Sequence, residues 1–198
     1  MKPESAWHYA GDLRAALVAA ALALIAEGGA AALTMRAVAR RAGVSAMAPY
    51  HHFRDRAALV AAVAAHGFDQ LYSDKIAALA AAPGDPAQRI VAGAIAYVRF
   101  VRENPALYRL MKSSELADRA DHPDLAIAAA RPGDSLAAML GELAAAGRLH
   151  GTTPRDAGQL LWALVHGLGT LSIDAYLPDA ERLAGEGAAA MLAGWGAL

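Results

Sequence analysis

Apolar residues recur along this chain at the three- and four-residue spacing of a helix face. The pattern starts with Leu13, Leu17, Leu24 and Ile25, which share one side of the segment if it is helical. Long alternating runs of β-branched residues, which would predict half-buried strands, do not occur in the sequence. The pattern therefore predicts an all-α fold.

Capping residues, glycines and prolines divide this pattern into helices. The first helix is predicted to end at Glu27 before two glycines, and Thr34 is predicted to cap a second helix over residues 35–41. Gly43 ends that helix, Ser45 caps a third of barely two turns, and Asp55 caps a long fourth that reaches about residue 82. The remaining predicted segments are a helix opened by Pro86, a short helix over 106–112, a loose stretch over 113–132 broken near Pro123, and helices over 135–146, 154–176 and from 178 to about 195.

The second and third helices form a predicted helix-turn-helix around Gly43, which can adopt a positive φ without strain. The third helix carries mostly small side chains, so it can lie in a DNA major groove about 12 Å wide. Pro49 lies near its first turn, where few amide hydrogen bonds are lost. The residues expected to form the core beneath are Leu17, Leu24, Leu33, Val38, Ala39, Ala42, Val44, Phe53 and Leu59.

Positive charge is concentrated in this same stretch. The whole chain carries 18 Lys and Arg against 19 Asp and Glu, for a formal net charge of −1. Between Thr34 and Arg56, however, five arginines face a single acidic residue, Asp55, so the rest of the chain is acidic. A small basic zone on an acidic protein is typical of local contact with a polyanion. A solvated charged face would give the same pattern.

Composition excludes several kinds of active site. The chain has no Cys, so it offers no disulfide, zinc-thiolate site or thiol nucleophile. His51 and His52 are neighbours that point about 100° apart on a helix and cannot chelate one ion together. The G-x-G-x-x-A pattern over 185–190 follows no predicted strand. The chain is therefore not expected to be an enzyme, and no catalytic residue, metal or cofactor is expected.

Two apolar runs imitate membrane signals. Residues 15–26 are too few to span a bilayer, and acidic residues precede them where a signal peptide would have basic ones. The longer run over 157–173 is interrupted by polar residues. A cytoplasmic protein without a membrane partner is therefore expected.

The stretch LTMRAVARRAGVSAMAPYHHFRDRAALVAAV, Leu33 to Val63, resembles the DNA-binding motif of TetR-type (tetracycline-repressor-like) bacterial transcriptional regulators. The A-G-V-S turn, the Tyr-x-His-Phe sequence and the basic residue three positions beyond Phe53 all match. Further along, Trp162-x-x-x-His166-Gly167 and the sequence NPALYRLM are similar to a subgroup of that family with a W-x-x-x-H-G signature in its C-terminal domain. Together these segments extend the resemblance over nearly the whole chain.

The resemblance implies a set of DNA contacts. Thr34, Tyr50 and Arg56 are expected at phosphates, with Arg56 standing where the family usually has a lysine. His52 is expected near the DNA backbone or packed as a hinge beside Phe53. A position in the core would also suit Phe53 and, less readily, Tyr50. The candidates for reading bases are Arg36, Ser45, Ala46, Met47 and His51. Of these, Ala46 and Met47 depart from the usual polar pattern and would contact thymine methyl groups.

The second half of the chain is expected to bind an effector and to form a dimer. The resemblance implies a pocket, for which the tentative lining is Tyr97, Phe100, Tyr108, Met111, Met139, Trp162 and His166. Core packing would explain the first five equally well, and an interface role is favoured for His166. Arg99, Arg102 and Arg109 are candidates to hold a ligand carboxylate. Leucines along the last two helices predict a four-helix dimer contact.

These expectations combine into one predicted organisation. A three-helix DNA-binding head occupies residues 1–58, a helix over about 56–82 bridges the halves, and residues 59–198 form a helical effector and dimerisation bundle. The homodimer is expected to bind double-stranded DNA at a palindromic operator, most simply as a repressor released by a small, apolar effector. The alternative is a helical small-molecule-binding protein without DNA-binding activity.

Overall fold

A computed structural model describes residues 13–82, 84–116, 121–174 and 176–198. Across these ranges the regular structure is helical and contains no strand, so the all-α prediction is confirmed. Short 3₁₀ turns occupy 30–32, 48–51 and 114–116. The α-helices are α1 (Leu13–Gly28), α2 (Met35–Arg41), α3 (Arg56–Ala81), α4 (Pro86–Glu103), α5 (Pro105–Met111), α6 (Pro123–Ala145), α7 (Pro154–Ile173) and α8 (Ala180–Gly194).

Side-chain caps fix several helix starts as predicted. The Thr34 hydroxyl accepts a hydrogen bond from the Ala37 amide at 3.1 Å at the start of α2. The Asp55 carboxylate accepts from the Ala58 amide at 2.8 Å at the start of α3, and Thr153 accepts from the Asp156 amide at 3.1 Å at the start of α7. Each bond satisfies an amide that the helix itself leaves without an acceptor.

The third predicted α-helix is wrong, because the segment is not α-helical. Ser45 does not cap it, because the segment is a single 3₁₀ turn, Ala48–His51, whose N-cap residue is Met47. Pro49 has no amide hydrogen, and its carbonyl accepts from the amides of both His52 and Phe53, at 3.0 and 2.9 Å. The hydrogen bond from the His52 amide spans three residues, which makes the turn tighter than an α-helical one. Earlier in the chain, Gly43 has the predicted positive φ, at 70°.

The predicted separation of the stretch over 113–132 from the helix over 135–146 is also wrong. Residues Pro123–Ala145 form one continuous helix, α6, with Pro132 inside it, although separate segments were expected on either side. Pro132 removes one intrahelical hydrogen bond. Burial compensates for that loss, because α6 buries a set of apolar residues on both sides of the proline: Leu125, Ala128, Met139, Leu140 and Leu143.

The contacts within the chain define two compact units. Unit 1 contains the described residues up to 67 together with those between 106 and 126, and unit 2 contains those from 68 to 105 and from 127 to 198. Helices α3 and α6 each contribute residues to both units. The expected division at residue 58 stays a prediction.

Unit 1 has the core that the pattern predicted for the head, with three of its members only half-buried: Leu24, Ala42 and Val44. The fully covered members are Leu17, Leu33, Val38, Ala39, Phe53 and Leu59. The Arg14 guanidinium lies over the Phe53 ring at 5.4 Å from its centroid. Helix α5 packs on α3 at Gly67, where an added Cβ would lie 2.7 Å from the Met111 sulfur.

Unit 2 is built on α4, which packs against both α7 and α8. Glycines allow these helices to approach closely. An added Cβ at Gly169 of α7 would lie 3.2 Å from the Val101 side chain, and one at Gly185 of α8 would lie 3.0 Å from that of Ile95. Small residues at these positions therefore serve packing inside one chain.

One lysine is buried inside unit 2. Only 7% of Lys75 is exposed, and its Nζ donates to the Pro132 carbonyl at 2.6 Å and to the Ser135 hydroxyl at 2.8 Å. Burial lowers the pKa of Lys75 from 10.5 to about 8, because an ammonium is costly to remove from water. The folded chain thus releases this proton at a lower pH than the unfolded chain does.

This difference predicts a pH dependence of stability. Between pH 8 and 10.5 the unfolded chain binds the Lys75 proton and the folded chain does not, so stability rises with pH. The free energy of unfolding of the wild type, relative to Lys75→Met, should increase by up to about 3 kcal/mol from pH 7 to 10.5. Urea unfolding across that range measures it. Lys112→Met, at an exposed lysine, is the control, and a flat difference for Lys75→Met would contradict the expectation.

Candidate nucleic-acid interface

Helix α2, the turn at Gly43 and the 3₁₀ turn at 48–51 present most of the predicted DNA contacts to solvent. Met47 is 64% exposed and Tyr50 is 49% exposed. Arg56 is half-buried. The other predicted contacts are exposed: Thr34, Arg36, Ser45, Ala46, His51 and His52.

Pro49 and Phe53 explain why their neighbours face outward. Both are buried, and Tyr50, His51 and His52 lie between them on the turn. Tyr50 is therefore exposed and does not have the core position that was considered for it. Phe53 is buried in the core, as expected. The turn offers a phenol and two imidazoles beside one another at the surface, groups that hydrogen bond to phosphate oxygens.

Three of the five arginines in the basic zone are bound to carboxylates. Arg41 pairs with Glu27 and Arg54 with Asp55, and Arg56 pairs with Glu115. The hydrogen bond from Arg41 lowers the pKa of Glu27, so that carboxylate stays charged. The net positive charge that the sequence suggested for this zone is therefore partly cancelled by acidic residues distant along the chain.

Arg36 and Arg40 are the remaining two arginines, and sequence reasoning assigned no DNA role to Arg40. Both are exposed, and neither forms a side-chain hydrogen bond or ion pair with any residue that the structure describes. They are four positions apart and share one face of α2. That spacing is visible in the sequence and could have identified Arg40.

Arg56 has an internal set of partners. Its Nε donates to the Leu33 carbonyl at 3.0 Å, one terminal nitrogen donates to Glu115 at 2.6 Å, and the other lies 3.4 Å from the Ala30 carbonyl. Leu33 directly precedes Thr34, the cap of α2. The guanidinium thus connects the start of α3 to the segment that leads into α2. Sequence reasoning gave no role to Glu115, since nothing local links it to Arg56.

The tentative pocket residues do not lie together in one unit. Tyr108 and Met111 belong to unit 1, and the others belong to unit 2. Trp162 is 51% exposed and its ring stacks on the half-buried His166, with centroids 5.1 Å apart and planes at 18°. The buried residues of this predicted pocket lining are Tyr97, Phe100, Tyr108, Met111 and Met139.

Two of the arginines considered for a ligand carboxylate are already paired. Arg99 and Arg102 both donate to Glu181, at 3.0 and 2.8 Å. Within the described ranges, no group of three acidic or histidine side chains could hold a metal ion. Among the same residues, no helix is both long and apolar enough to cross a membrane.

Comparison with known proteins places the chain among bacterial regulators. Residues 17–63 match the family described as bacterial regulatory proteins, tetR family, and residues 90–194 match the tetracyclin repressor-like C-terminal domain. No curated protein matches the sequence. The match of the second region to the W-x-x-x-H-G subgroup stays a prediction.

Solved structures share the fold. A protein of unknown function from Rhodococcus sp. RHA1 is 30% identical, with a TM-score of 0.86 over 98% of this chain and 100% of that one. The TetR-family regulator PfmR from Thermus thermophilus is 20% identical, with a TM-score of 0.67 over 89% and 97%. The fatty acid degradation regulator FadR from Bacillus halodurans is 16% identical, with a TM-score of 0.72 over 91% and 98%.

The contacts of Arg56 predict that its geometry, and not only its charge, stabilises the head. Arg56→Lys keeps the charge but cannot reach the Leu33 carbonyl and Glu115 together, so unfolding should cost about 1–2 kcal/mol less. Thermal or urea unfolding measures the loss. Arg54→Lys is the matched control, because the Arg54 side chain is 78% exposed and its ion pair should contribute little. Equal losses in the two variants would refute the role given to Arg56.

Proposed function

Since the chain belongs to the TetR family of bacterial DNA-binding transcriptional regulators, we infer that it represses transcription from a palindromic operator and is released by a small, mainly apolar effector. The observation that carries this function is the exposed surface of the helix-turn-helix, where α2 carries two arginines without carboxylate partners in the described chain and the following turn carries polar aromatic side chains. Such a surface matches the charge of a DNA backbone and the hydrogen-bonding groups of its grooves.

Each side chain has a distinct role in this proposal. Tyr50 donates its phenolic hydrogen to a phosphate oxygen, and Arg40 contacts phosphate by charge. Arg36 reads base edges in the major groove, where a guanidinium can donate two parallel hydrogen bonds to guanine. Met47, 64% exposed and apolar, contacts a thymine methyl group. His51, His52, Ser45, Ala46 and Thr34 complete the surface.

Dimerisation through α7 and α8 is the second part of the proposal. Leu160 and Leu171 of α7 lie on one face of the helix and are 48% and 45% exposed, although the rest of the described chain buries most of its large apolar side chains. Large leucines on one helix face would be costly to leave in water. A second copy of the same surface would cover them with twofold symmetry. Two heads would then address half-sites about 34 Å apart.

Effector release follows from linkage. A ligand lowers operator affinity only if it binds more tightly to the state that does not fit DNA. Helix α3 is suited to carry such a change, because it contributes residues to both contact units and begins at Arg56, next to the helix-turn-helix. Repacking of the helices around the effector shifts α3, and the separation of the two heads no longer matches the operator.

DNA binding can be tested with fluorescently labelled duplexes from the region flanking the gene. Tyr50→Phe should weaken binding about tenfold on all sequences, because it removes one hydrogen bond to a charged group. Arg40→Ala should also weaken binding uniformly and reduce the slope of log affinity against log salt by about one per half-site. Arg36→Ala should instead change which duplexes are preferred.

Arg155→Ala is the control for these variants, because Arg155 is equally exposed but lies at the start of α7, outside the head. It should leave DNA affinity unchanged. Wild-type protein that binds no duplex above the non-specific level would leave the alternative, a helical small-molecule-binding protein, as the better description.

The dimer can be tested separately by sedimentation. Leu160→Glu combined with Leu171→Glu should convert the dimer to monomer, since two charges would be buried without partners. The monomer should lose most of its operator affinity because it holds only one half-site. Ile127→Glu is the control, since Ile127 of α6 is 58% exposed and should not affect assembly. A dimer that persists in the double variant would exclude this α7 surface.

A further inference from the structure

Lys75 is the one acidic, basic or histidine residue that is buried in the described chain, with 7% of it exposed. It lies on α3, and its ammonium reaches α6 at the point where Pro132 interrupts the helix. Its partners are the Pro132 carbonyl and the Ser135 hydroxyl, at 2.6 and 2.8 Å. Neither carries a charge, and Lys75 forms no ion pair with a carboxylate among the residues that the structure describes.

The described residues supply fewer acceptors than this ammonium has donors. A protonated lysine has three N–H donors, and the protein supplies two acceptors. Buried charges in proteins are normally paired as well as hydrogen-bonded, because desolvation is expensive. The depressed pKa of Lys75, about 8, reflects that cost. The described residues therefore supply neither a third acceptor nor a negative charge to this ammonium.

Packing holds the lysine stem in place. Gly93 of α4 leaves room for it, since an added Cβ there would lie 3.2 Å from both the Lys75 Cε and a Leu79 methyl carbon. The side chain is thus confined between α4 and α6, and its charged end cannot turn to solvent without repacking. A lysine held in this way stays where no described carboxylate compensates its charge.

The surroundings of the ammonium are apolar. On α3, Leu71 and Leu79 flank Lys75 one turn away in each direction, and they are 2% and 4% exposed. On α6, Met139 lies one turn beyond Ser135 and is 3% exposed. Met139 is among the tentative pocket residues. A ligand that meets Lys75 would therefore have a charged group at one end and an apolar body.

Four arginines of unit 2 are less suited to hold such a ligand. Arg99 and Arg102 share Glu181, and Arg131 pairs with Asp69. Arg148 donates to Asp85. Each of these already has its counter-charge, so a ligand carboxylate would have to compete with a protein carboxylate. At Lys75 it would compete with none among the described residues.

We propose that Lys75 anchors the effector of the regulator function proposed above, and that this effector is a small molecule with a single carboxylate on an apolar body. The ligand carboxylate accepts the third ammonium hydrogen and supplies the missing negative charge. Because Lys75 lies on α3, the same contact acts on the helix that begins at the DNA-binding head.

The experiment compares carboxylates with their uncharged amides, without DNA. Octanoate and octanamide, hexanoate and hexanamide, and phenylacetate and phenylacetamide form three matched pairs with different apolar bodies. Calorimetry on the wild-type protein should show at least one carboxylate binding about tenfold or more tightly than its amide, as expected of a charge-assisted hydrogen bond. Lys75→Met should abolish that preference while amide binding persists. Ser135→Ala should reduce it less.

A second measurement needs no substitution at the site. The chain has three lysines, Lys2, Lys75 and Lys112, so protein labelled with ¹³C at lysine Cε gives three NMR signals, which Lys2→Arg and Lys112→Arg assign by elimination. The Lys75 signal should move on addition of the preferred carboxylate and not on addition of its amide. The other two signals should stay in place and serve as the internal control.

Several results would overturn the proposal. They are a carboxylate preference that survives in Lys75→Met, a Lys75 signal that ignores the carboxylate, and three pairs in which no carboxylate exceeds its amide. Each leaves DNA binding untouched, because the assays contain no duplex. Conversely, failure to bind any operator would refute the regulator function, while carboxylate binding at Lys75 would still be measured.

Discussion

The guanidinium of Arg56 is the contact on which the arrangement of the head most depends. It lies at the first residue of α3 and donates to the carbonyl of Leu33, which directly precedes the cap of α2. It also donates to Glu115, in the segment that follows α5. Three pieces of chain far apart in the sequence therefore meet at one planar, multivalent donor. A point charge such as lysine could neutralise Glu115, but it could not hold all three.

The local features of this fold could be predicted from the sequence, because their causes are local. Thr34 and Asp55 cap helices since their side chains reach an amide three residues on, and Gly43 turns the chain since it tolerates a positive φ. The long helices follow from alanine and from periodic leucines. Exposure of the side chains predicted to contact DNA also follows from local pattern, because buried Pro49 and Phe53 orient the turn between them.

Features set by distant residues could not be predicted in the same way. The loose stretch over 113–132 was expected to be separate from the helix over 135–146, but residues on both sides of Pro132 bury enough apolar surface for α6 to continue through it. The 3₁₀ turn at 48–51 depends on how the Pro49 carbonyl is shared between two amides. Ion pairs such as Arg41–Glu27 and Arg56–Glu115, and the burial of Lys75, join residues that no sequence spacing relates.

These pairings change how the head must attract DNA. A count of five arginines against one aspartate suggests strong attraction, yet three of the five carry their own carboxylates in the folded chain. Pairing at short range cancels most of the field at the distance of an approaching phosphate. The long-range pull is then left to Arg36 and Arg40 on one face of α2. A single head with two such cations would bind weakly, and its affinity would depend only modestly on salt, because the salt dependence scales with the number of phosphate contacts. Selective binding therefore favours the roles proposed for the hydroxyl, imidazole and thioether groups that α2 and the turn expose, and the proposed dimer with its two heads. Charge alone would not distinguish an operator from any other duplex, so the scarcity of unpaired arginines favours specificity over indiscriminate affinity.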